Sequence, residues 1–297
     1  MTDRPPPLAR TYEEITEIRA RTPERIAEAL AARTTRPFVG SDGRLMIVAA
    51  DHPARGALSA RGRSDAMASR TELLDRLRAA LARPGVDGLL ATADIAEDLL
   101  LLGALEDKVV VASMNRGGIA GAAYEFDDRM TAYDVRGVVE SRFDAGKVLL
   151  RFALDDPGTA ATHEACARAV TELNRARTVA MVEPFMSGRR EGRVVNDLSP
   201  DAVIKSIHLA QGIGASSAYT WLKLPVVDQM ERVMQATTLP TVILGGDPMS
   251  APDETYAQWG KALALPAVRG LVVGRALLFP PGDDVAAAVD TAVSLVR

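Results

Sequence analysis

Eight short apolar runs recur along the chain: LMIVAA (45–50), DGLLAT (87–92), KVVVAS (108–113), GKVLLRF (146–152), TVAMVE (178–183), YTWLKL (219–224), TVILGG (241–246) and VRGLVVG (268–274). Each is continuous rather than alternating, the pattern of parallel strands covered on both faces. Between them apolar positions recur at helical spacing, most clearly over 65–83, 157–175, 199–211, 226–235, 253–264 and 282–296. Ser199-Pro200-Asp201 and Asp156-Pro157 read as helix starts, pairing an oxygen-bearing cap with a proline that needs no N–H partner. Residues 10–34, rich in Glu, Arg and Ala, predict one further helix ahead of the first strand.

Eight strands alternating with helices in 297 residues predict an α/β fold, a single (β/α)8 TIM barrel over 41–297 with residues 1–40 as an N-terminal extension and helix. A doubly wound open sheet is the alternative. Against it, AADHPARGAL stands where a Gly-rich fingerprint would follow the first strand, and no GxxxxGK[ST] occurs. The longest irregular piece, MNRGGIAGAAYEFDDRM (114–130), follows the third strand and predicts a lid or substrate-contacting segment at the C-terminal mouth.

A barrel directs attention to polar residues at the C-terminal ends of its strands. Asp51 and His52 end the first run, Glu183 the fifth and Lys223 the sixth. Lys147, Leu149 and Arg151 share one side of the fourth at period two. Acids on strands one and five can meet cations on four and six only inside a barrel, giving two carboxylates and two or three cations in a low-dielectric space. Burial and neighbouring cations would favour the neutral, nucleophilic form of Lys223, the requirement for a Schiff base with a ketone or aldehyde, with Trp221, Leu222 and Leu224 as its apolar surroundings. Gly245, Gly246 and Gly274 leave backbone N–H groups uncovered at late strand ends, and Arg275 adds a bidentate donor, the makings of a phosphate grip. Plainer readings stand beside these. Lys223 could be a strand-end or substrate-binding cation, Glu183 with Lys147 one structural ion pair, and Arg151 a core residue paired to Asp51. Arg189, Arg190 and Arg193 read as a mobile surface loop, and Asp127, Asp128 and Arg129 as a solvated one.

Composition narrows the partners. Net charge is −4, with 35 basic residues scattered among 39 acidic ones, so no footprint for nucleic acid or an anionic membrane exists and a small molecule is expected. With 47% hydrophobic residues, no run of about 18 apolar residues and no apolar segment in MTDRPPPLAR, a cytoplasmic globular protein is expected. A homo-oligomer is also expected. The lone Cys166, in THEACARAVTEL, reads as a small buried hydrophobe. His163 and His208 fall on helices without ligand spacing to His52 or each other, so no metal and no cofactor is expected.

The motifs MVEP, WLKLP, LGGDP and VVGRALL, in that order behind AADHPARGAL, resemble those of class I (Schiff-base) aldolases of the fructose-bisphosphate, tagatose-bisphosphate and deoxyribose-phosphate aldolase superfamily over roughly residues 45–280. The resemblance implies Lys223 as Schiff-base lysine, Glu183 as the proton carrier of carbinolamine dehydration, and Asp51 as the acid at the substrate hydroxyl; as the base for cleavage there, Asp51 is the first choice and His52 an outside one. It further implies Lys147 as the lysine that balances their charge, and Gly246, Gly274 and Arg275 as the phosphate grip. His52 departs from a more usual Gln or Gly, extra residues precede Arg55-Gly56, and the 114–130 loop has no counterpart. More narrowly, the chain resembles actinobacterial aldolase-like barrels associated with inositol catabolism, which implies cleavage of 5-dehydro-2-deoxygluconate 6-phosphate to dihydroxyacetone phosphate and malonate semialdehyde. A barrel isomerase or synthase without a covalent intermediate, and a non-catalytic sugar-phosphate-binding barrel, are the alternatives.

Overall fold

A computed structural model describes residues 6–245 and 252–297. The strands are β1 (Leu45–Ala49), β2 (Gly88–Ala91), β3 (Val109–Ser113), β4 (Ala145–Phe152), β5 (Val179–Arg190), β6 (Arg193–Asp197), β7 (Thr220–Pro225), β8 (Thr241–Leu244) and β9 (Val268–Val273). The helices are α1 (Tyr12–Arg21), α2 (Glu24–Ala32), α3 (Arg70–Leu81), α4 (Ala93–Leu101), α5 (Val135–Glu140), α6 (Gly158–Arg175), α7 (Pro200–Gln211), α8 (Met230–Met234), α9 (Pro252–Leu263), α10 (Arg275–Leu278) and α11 (Val285–Val296). Eight strands pair in parallel in the order β4-β3-β2-β1-β9-β8-β7-β5, and the β4–β5 ladder closes them into a (β/α)8 barrel. The ninth, β6, folds back antiparallel on the far half of β5 as a hairpin.

The unbroken apolar runs follow from this closure. Leu45, Ile47, Leu90, Val109, Val111, Met181, Val242 and Val272 point into the lumen and pack together. Their neighbours Met46, Val48, Leu89, Val110, Leu222, Leu224 and Ile243 pack outward beneath the helices. Phe38, ahead of β1, meets Trp221 edge to face at 5.2 Å between ring centroids and helps plug the lumen floor. At Gly270 (φ 155°) a Cβ would stand 1.8 Å from the Leu45 carbonyl oxygen, so β9 can lie this close to β1 only with glycine there.

Most expected elements are present, and the helix starting at Ser199-Pro200 has the Ser199 hydroxyl accepting from Ala202 N–H as the cap reading requires. Four differences have physical causes. The 10–34 segment is two helices, because Pro23 cannot supply the N–H that would continue α1. Helices α4 and α5 were not expected: α4 is hidden in a nearly uniform apolar stretch and α5 is only 6 residues long. The 226–235 helix shrinks to Met230–Met234, because Gln229 adopts a left-handed backbone. Finally, Arg189, Arg190 and Arg193 do not form a surface loop: β5 runs on to Arg190, and β6 from Arg193 alternates exposed and half-buried residues as an edge strand should.

Candidate active site

Period two along each strand brings four charges into the upper lumen. Lys147 Nζ lies 2.8 Å from Asp51 Oδ2 and 3.2 Å from Glu183 Oε2, and Lys223 Nζ donates to Glu183 Oε1 at 2.7 Å. None of these four residues is more than 6% exposed. Ser113, at the end of β3 and level with Lys147, donates to Asp51 Oδ2 at 3.1 Å. The quartet is formally neutral, which is how four ionised groups tolerate this burial.

Their proton affinities follow from the arrangement. Burial would raise the Glu183 carboxyl, but the ammonium groups of Lys223 and Lys147 overcome it and hold the group below its usual range. Asp51 behaves likewise, with burial outweighed by Lys147, His52 and Lys223 and the carboxyl held well below the usual range. For Lys147, burial is outweighed by Asp51 and Glu183, and its ammonium form is favoured beyond that of an ordinary lysine. His52 goes the other way: burial, opposed by Asp51 but reinforced by Arg275, Lys223 and Arg55, pushes the imidazole down to about 4.

Above the quartet opens a cavity of about 450 Å³. Glu183, Lys223, His52, Gly245, Gly274 and Arg275 line it, together with Leu149, Phe185, Trp259 and Arg55. The expected site residues therefore converge, with four exceptions. Gly246 lies outside the described residues. Asp51 and Lys147 sit beneath the cavity rather than on its wall. Arg151 is a correction: although inward by period, it is taken by the 114–130 loop, donating to Glu125 Oε1 at 2.7 Å and to the carbonyls of Gly117 and Glu125 at 2.7 and 3.1 Å, with its guanidinium over the Phe126 ring. It neither pairs with Asp51 nor reaches Lys223; it staples the loop. Leu222 and Leu224 are corrected too, because alternation turns them outward and leaves Trp221, two residues below, as the apolar neighbour of Lys223 on the lumen side.

Several participants were not singled out from sequence. Ser113 was readable in principle, as the inward polar end of Val109-Val110-Val111-Ala112-Ser113. Arg55 stood within the quoted DHPARGAL; its Nε is buried with no partner among the described residues. Asn196 and Leu198 reach the cavity only because the β5–β6 hairpin carries them there. Asn115 extends the β3–β4 pairing by side chain, donating to Leu149 O at 2.6 Å and accepting from Leu149 N–H at 2.9 Å, which fixes the root of the 114–130 loop.

That loop is not solvated throughout, contrary to the expectation for Asp127, Asp128 and Arg129: it holds a buried carboxyl. Asp128 is buried, its Oδ2 has no partner among the described residues, and burial pushes the carboxyl up to about 7 despite Arg151 and Lys147. Its folded-state proton affinity exceeds the unfolded one, so the folded chain binds the extra proton between about pH 4 and 7 and loses stability as pH rises through that window. Asp128→Asn is expected to be more stable than the parent by about 1–3 kcal/mol at pH 8 and to have no advantage at pH 4, read from urea midpoints at both pH values.

Among the described residues no group of three or more His, Cys, Asp or Glu side chains is placed to hold a metal ion, and no helix is long and apolar enough to cross a membrane. Cys166 is fully buried, with its thiol pushed up by burial.

Comparison with known proteins gives the family and the fold. The profile of the Cgl0159-like family matches residues 43–293. The crystal structure of Cgl0159 from Corynebacterium glutamicum is similar at 55% identity and a TM-score of 0.94, covering 98% of this chain and 99% of that one. A Schiff-base-forming fructose-1,6-bisphosphate aldolase, solved with reaction intermediates, is similar at 18% identity and a TM-score of 0.64, over 92% of this chain and 100% of that one. An archaeal fructose-1,6-bisphosphate aldolase, whose catalytic lysine is bound to the carbinolamine intermediate, is similar at 16% identity and 0.64, over 91% and 99%. At these identities the aldolases share the fold. No curated protein matches the chain.

Proposed function

The chain belongs to the Cgl0159-like family, and from that footing and the geometry of the lumen we propose that it is a class I aldolase cleaving a phosphorylated keto-sugar acid through a Schiff base on Lys223. The observation that carries the reading is the 2.7 Å hydrogen bond between Lys223 Nζ and Glu183 Oε1 at the wall of the cavity. An amine bonded to a buried carboxylate has a proton acceptor at hand, and the same carboxylate can pass that proton to the hydroxyl of a carbinolamine. A lysine kept only to bind an anion would gain nothing from so close a competing carboxylate.

In the proposed reaction neutral Lys223 adds to the substrate carbonyl, Glu183 delivers the proton with which water leaves, and an iminium forms. Loss of the proton from the β-hydroxyl then lets the C–C bond electrons flow into the iminium, releasing an aldehyde and leaving an enamine. Protonation of the enamine carbon and hydrolysis free the second product and Lys223. Lys147 remains an ammonium throughout, holding Asp51 ionised and balancing the charge of Glu183 between its proton transfers. Gly245, Gly274 and Arg275 form the phosphate grip, and Arg55 supplies a second cation to the wall. Two cations suit a substrate with two anionic groups, as in 5-dehydro-2-deoxygluconate 6-phosphate, which would yield dihydroxyacetone phosphate and malonate semialdehyde.

The test is borohydride reduction in the presence of dihydroxyacetone phosphate, followed by peptide mass analysis. A reduced adduct on Lys223 is expected, together with turnover of the deoxygluconate compound. No adduct with any of a panel of phosphorylated ketoses would defeat the proposal and leave the isomerase or binding-protein readings.

A further inference from the structure

Retro-aldol cleavage needs a group that takes the β-hydroxyl proton, and Asp51 is poorly made for it. Its Oδ2 is occupied by Lys147 at 2.8 Å and Ser113 at 3.1 Å, and it does not line the cavity. A carboxylate that an adjacent ammonium stabilises so strongly is a weak base, and substrate in the cavity cannot displace Lys147, which is buried and does not line it.

His52 is built differently. It follows β1 directly and caps the 3-10 turn Pro53–Arg55, its carbonyl accepting from the N–H groups of Arg55 and Ala57 at 3.1 and 3.3 Å, so the backbone that carries the ring is fixed. The ring lines the cavity and packs against Gly274, where a Cβ would stand 3.3 Å from His52 Cε1. Its Nδ1 is buried without a hydrogen-bond partner, 3.7 Å from Asp51 Oδ1. That gap is too long for a hydrogen bond but closes with a small ring rotation, and catalytic contacts are commonly this loose before substrate arrives. Once closed, Asp51 fixes the proton on Nδ1 and leaves Nε2 as the lone-pair nitrogen, the division of labour of a His–Asp dyad.

We propose that His52 is the catalytic base of C–C cleavage, accepting the β-hydroxyl proton at Nε2, with Asp51 as its positioning residue. The proposal rests on the Schiff-base reading above. The O–H proton moves to the imidazole, the O–H electron pair becomes the aldehyde carbonyl, and the C–C pair enters the iminium to give the enamine. The imidazolium that results is paired with Asp51. Among the described residues the charged groups facing the ring are Asp51 on its own segment, Arg55 on the same loop, Arg275 after β9 and Lys223 on β7. Without substrate the three cations, added to burial, keep the imidazole neutral. Anions of the substrate bound at Arg275 and Arg55 cancel two of those cations, so the ring becomes a stronger base only when the site is filled.

The experiment compares wild type with His52→Gln and His52→Ala in two assays. Borohydride trapping with dihydroxyacetone phosphate reports the Schiff base alone, and cleavage of 5-dehydro-2-deoxygluconate 6-phosphate reports the whole reaction. Both variants are expected to keep the trapped adduct and to lose kcat for cleavage by on the order of 10²–10⁴-fold with little change in KM, and added imidazole is expected to rescue His52→Ala. Asp51→Asn is expected to move the acid limb of the kcat profile to lower pH, because it removes an anion facing the ring. Wild-type cleavage by His52→Gln with the adduct intact overturns the assignment and spares the Schiff base. Parallel loss of adduct and cleavage also overturns it, since His52 would then act before the C–C step. Absence of the adduct in wild type overturns both readings.

Discussion

Lys223→Met is expected to lose the borohydride adduct completely and to cleave substrate on the order of 10⁴-fold more slowly or worse, while remaining folded. Removing the nucleophile removes the iminium, and no other amine can replace it: the remaining lumen lysine, Lys147, lies below the cavity floor and is held as an ammonium by two carboxylates. Methionine fills a similar volume in a strand whose floor is already apolar at Trp221, so the cost to packing is small. The cost falls on Glu183, which keeps only Lys147 at 3.2 Å once the 2.7 Å bond to Lys223 is gone. Two carboxylates then share one cation, and Glu183 is expected to take up a proton at higher pH than in the parent. Intact-mass measurement after reduction, single-turnover cleavage and a thermal melt separate these effects. A folded Lys223→Met protein that still cleaves would show that the lysine binds substrate but does not react with it.

The barrel was legible because strands buried on both faces write themselves as unbroken apolar runs, and a charge inside such a run can only point into the lumen or lie at its mouth. Lys147, Glu183 and Lys223 were readable for that reason, and their partners followed once the ring was closed. What period two could not supply was the claim that loops make on inward side chains. Arg151 has the same parity as Lys147, yet Glu125 and two carbonyls of the 114–130 loop take its guanidinium. The hairpin failed for a related reason: Arg189, Arg190 and Arg193 look like a solvated loop. In the fold Arg189 lies over the Phe126 ring and donates to the Ala123 carbonyl at 2.6 Å. Long polar side chains that cross from one loop to another leave no local periodicity to read.

Lys147→Met is expected to be the most destabilising single change in the lumen, by about 3–5 kcal/mol at pH 8, because it strips a cation from between two buried carboxylates instead of removing the whole ion cluster. Met is nearly isosteric along the stem, so the loss reports charge and not a cavity. The pH dependence gives the sign. In the parent, Asp51 and Glu183 are held below their usual ranges, so the stability they contribute is present above the ordinary carboxylate range and is lost as pH falls through their lower folded-state values. The raised proton affinity of Lys147 contributes stability that persists through neutral pH and is lost only as pH rises through its folded-state value. In the variant, burial is no longer offset at one of the two acids, whose proton affinity then rises above that of the unfolded chain. The folded variant binds that proton more tightly than the unfolded chain does, so it gains stability as pH falls from 8 towards 5. The gap between parent and variant is therefore expected to be widest at pH 8 and to narrow at pH 5, in urea titrations run at both. Equal midpoints at pH 8 would mean that the quartet is not ionised as a unit. Activity is expected to fall with stability at pH 8, since a Glu183 that has taken up a proton can no longer accept one from Lys223.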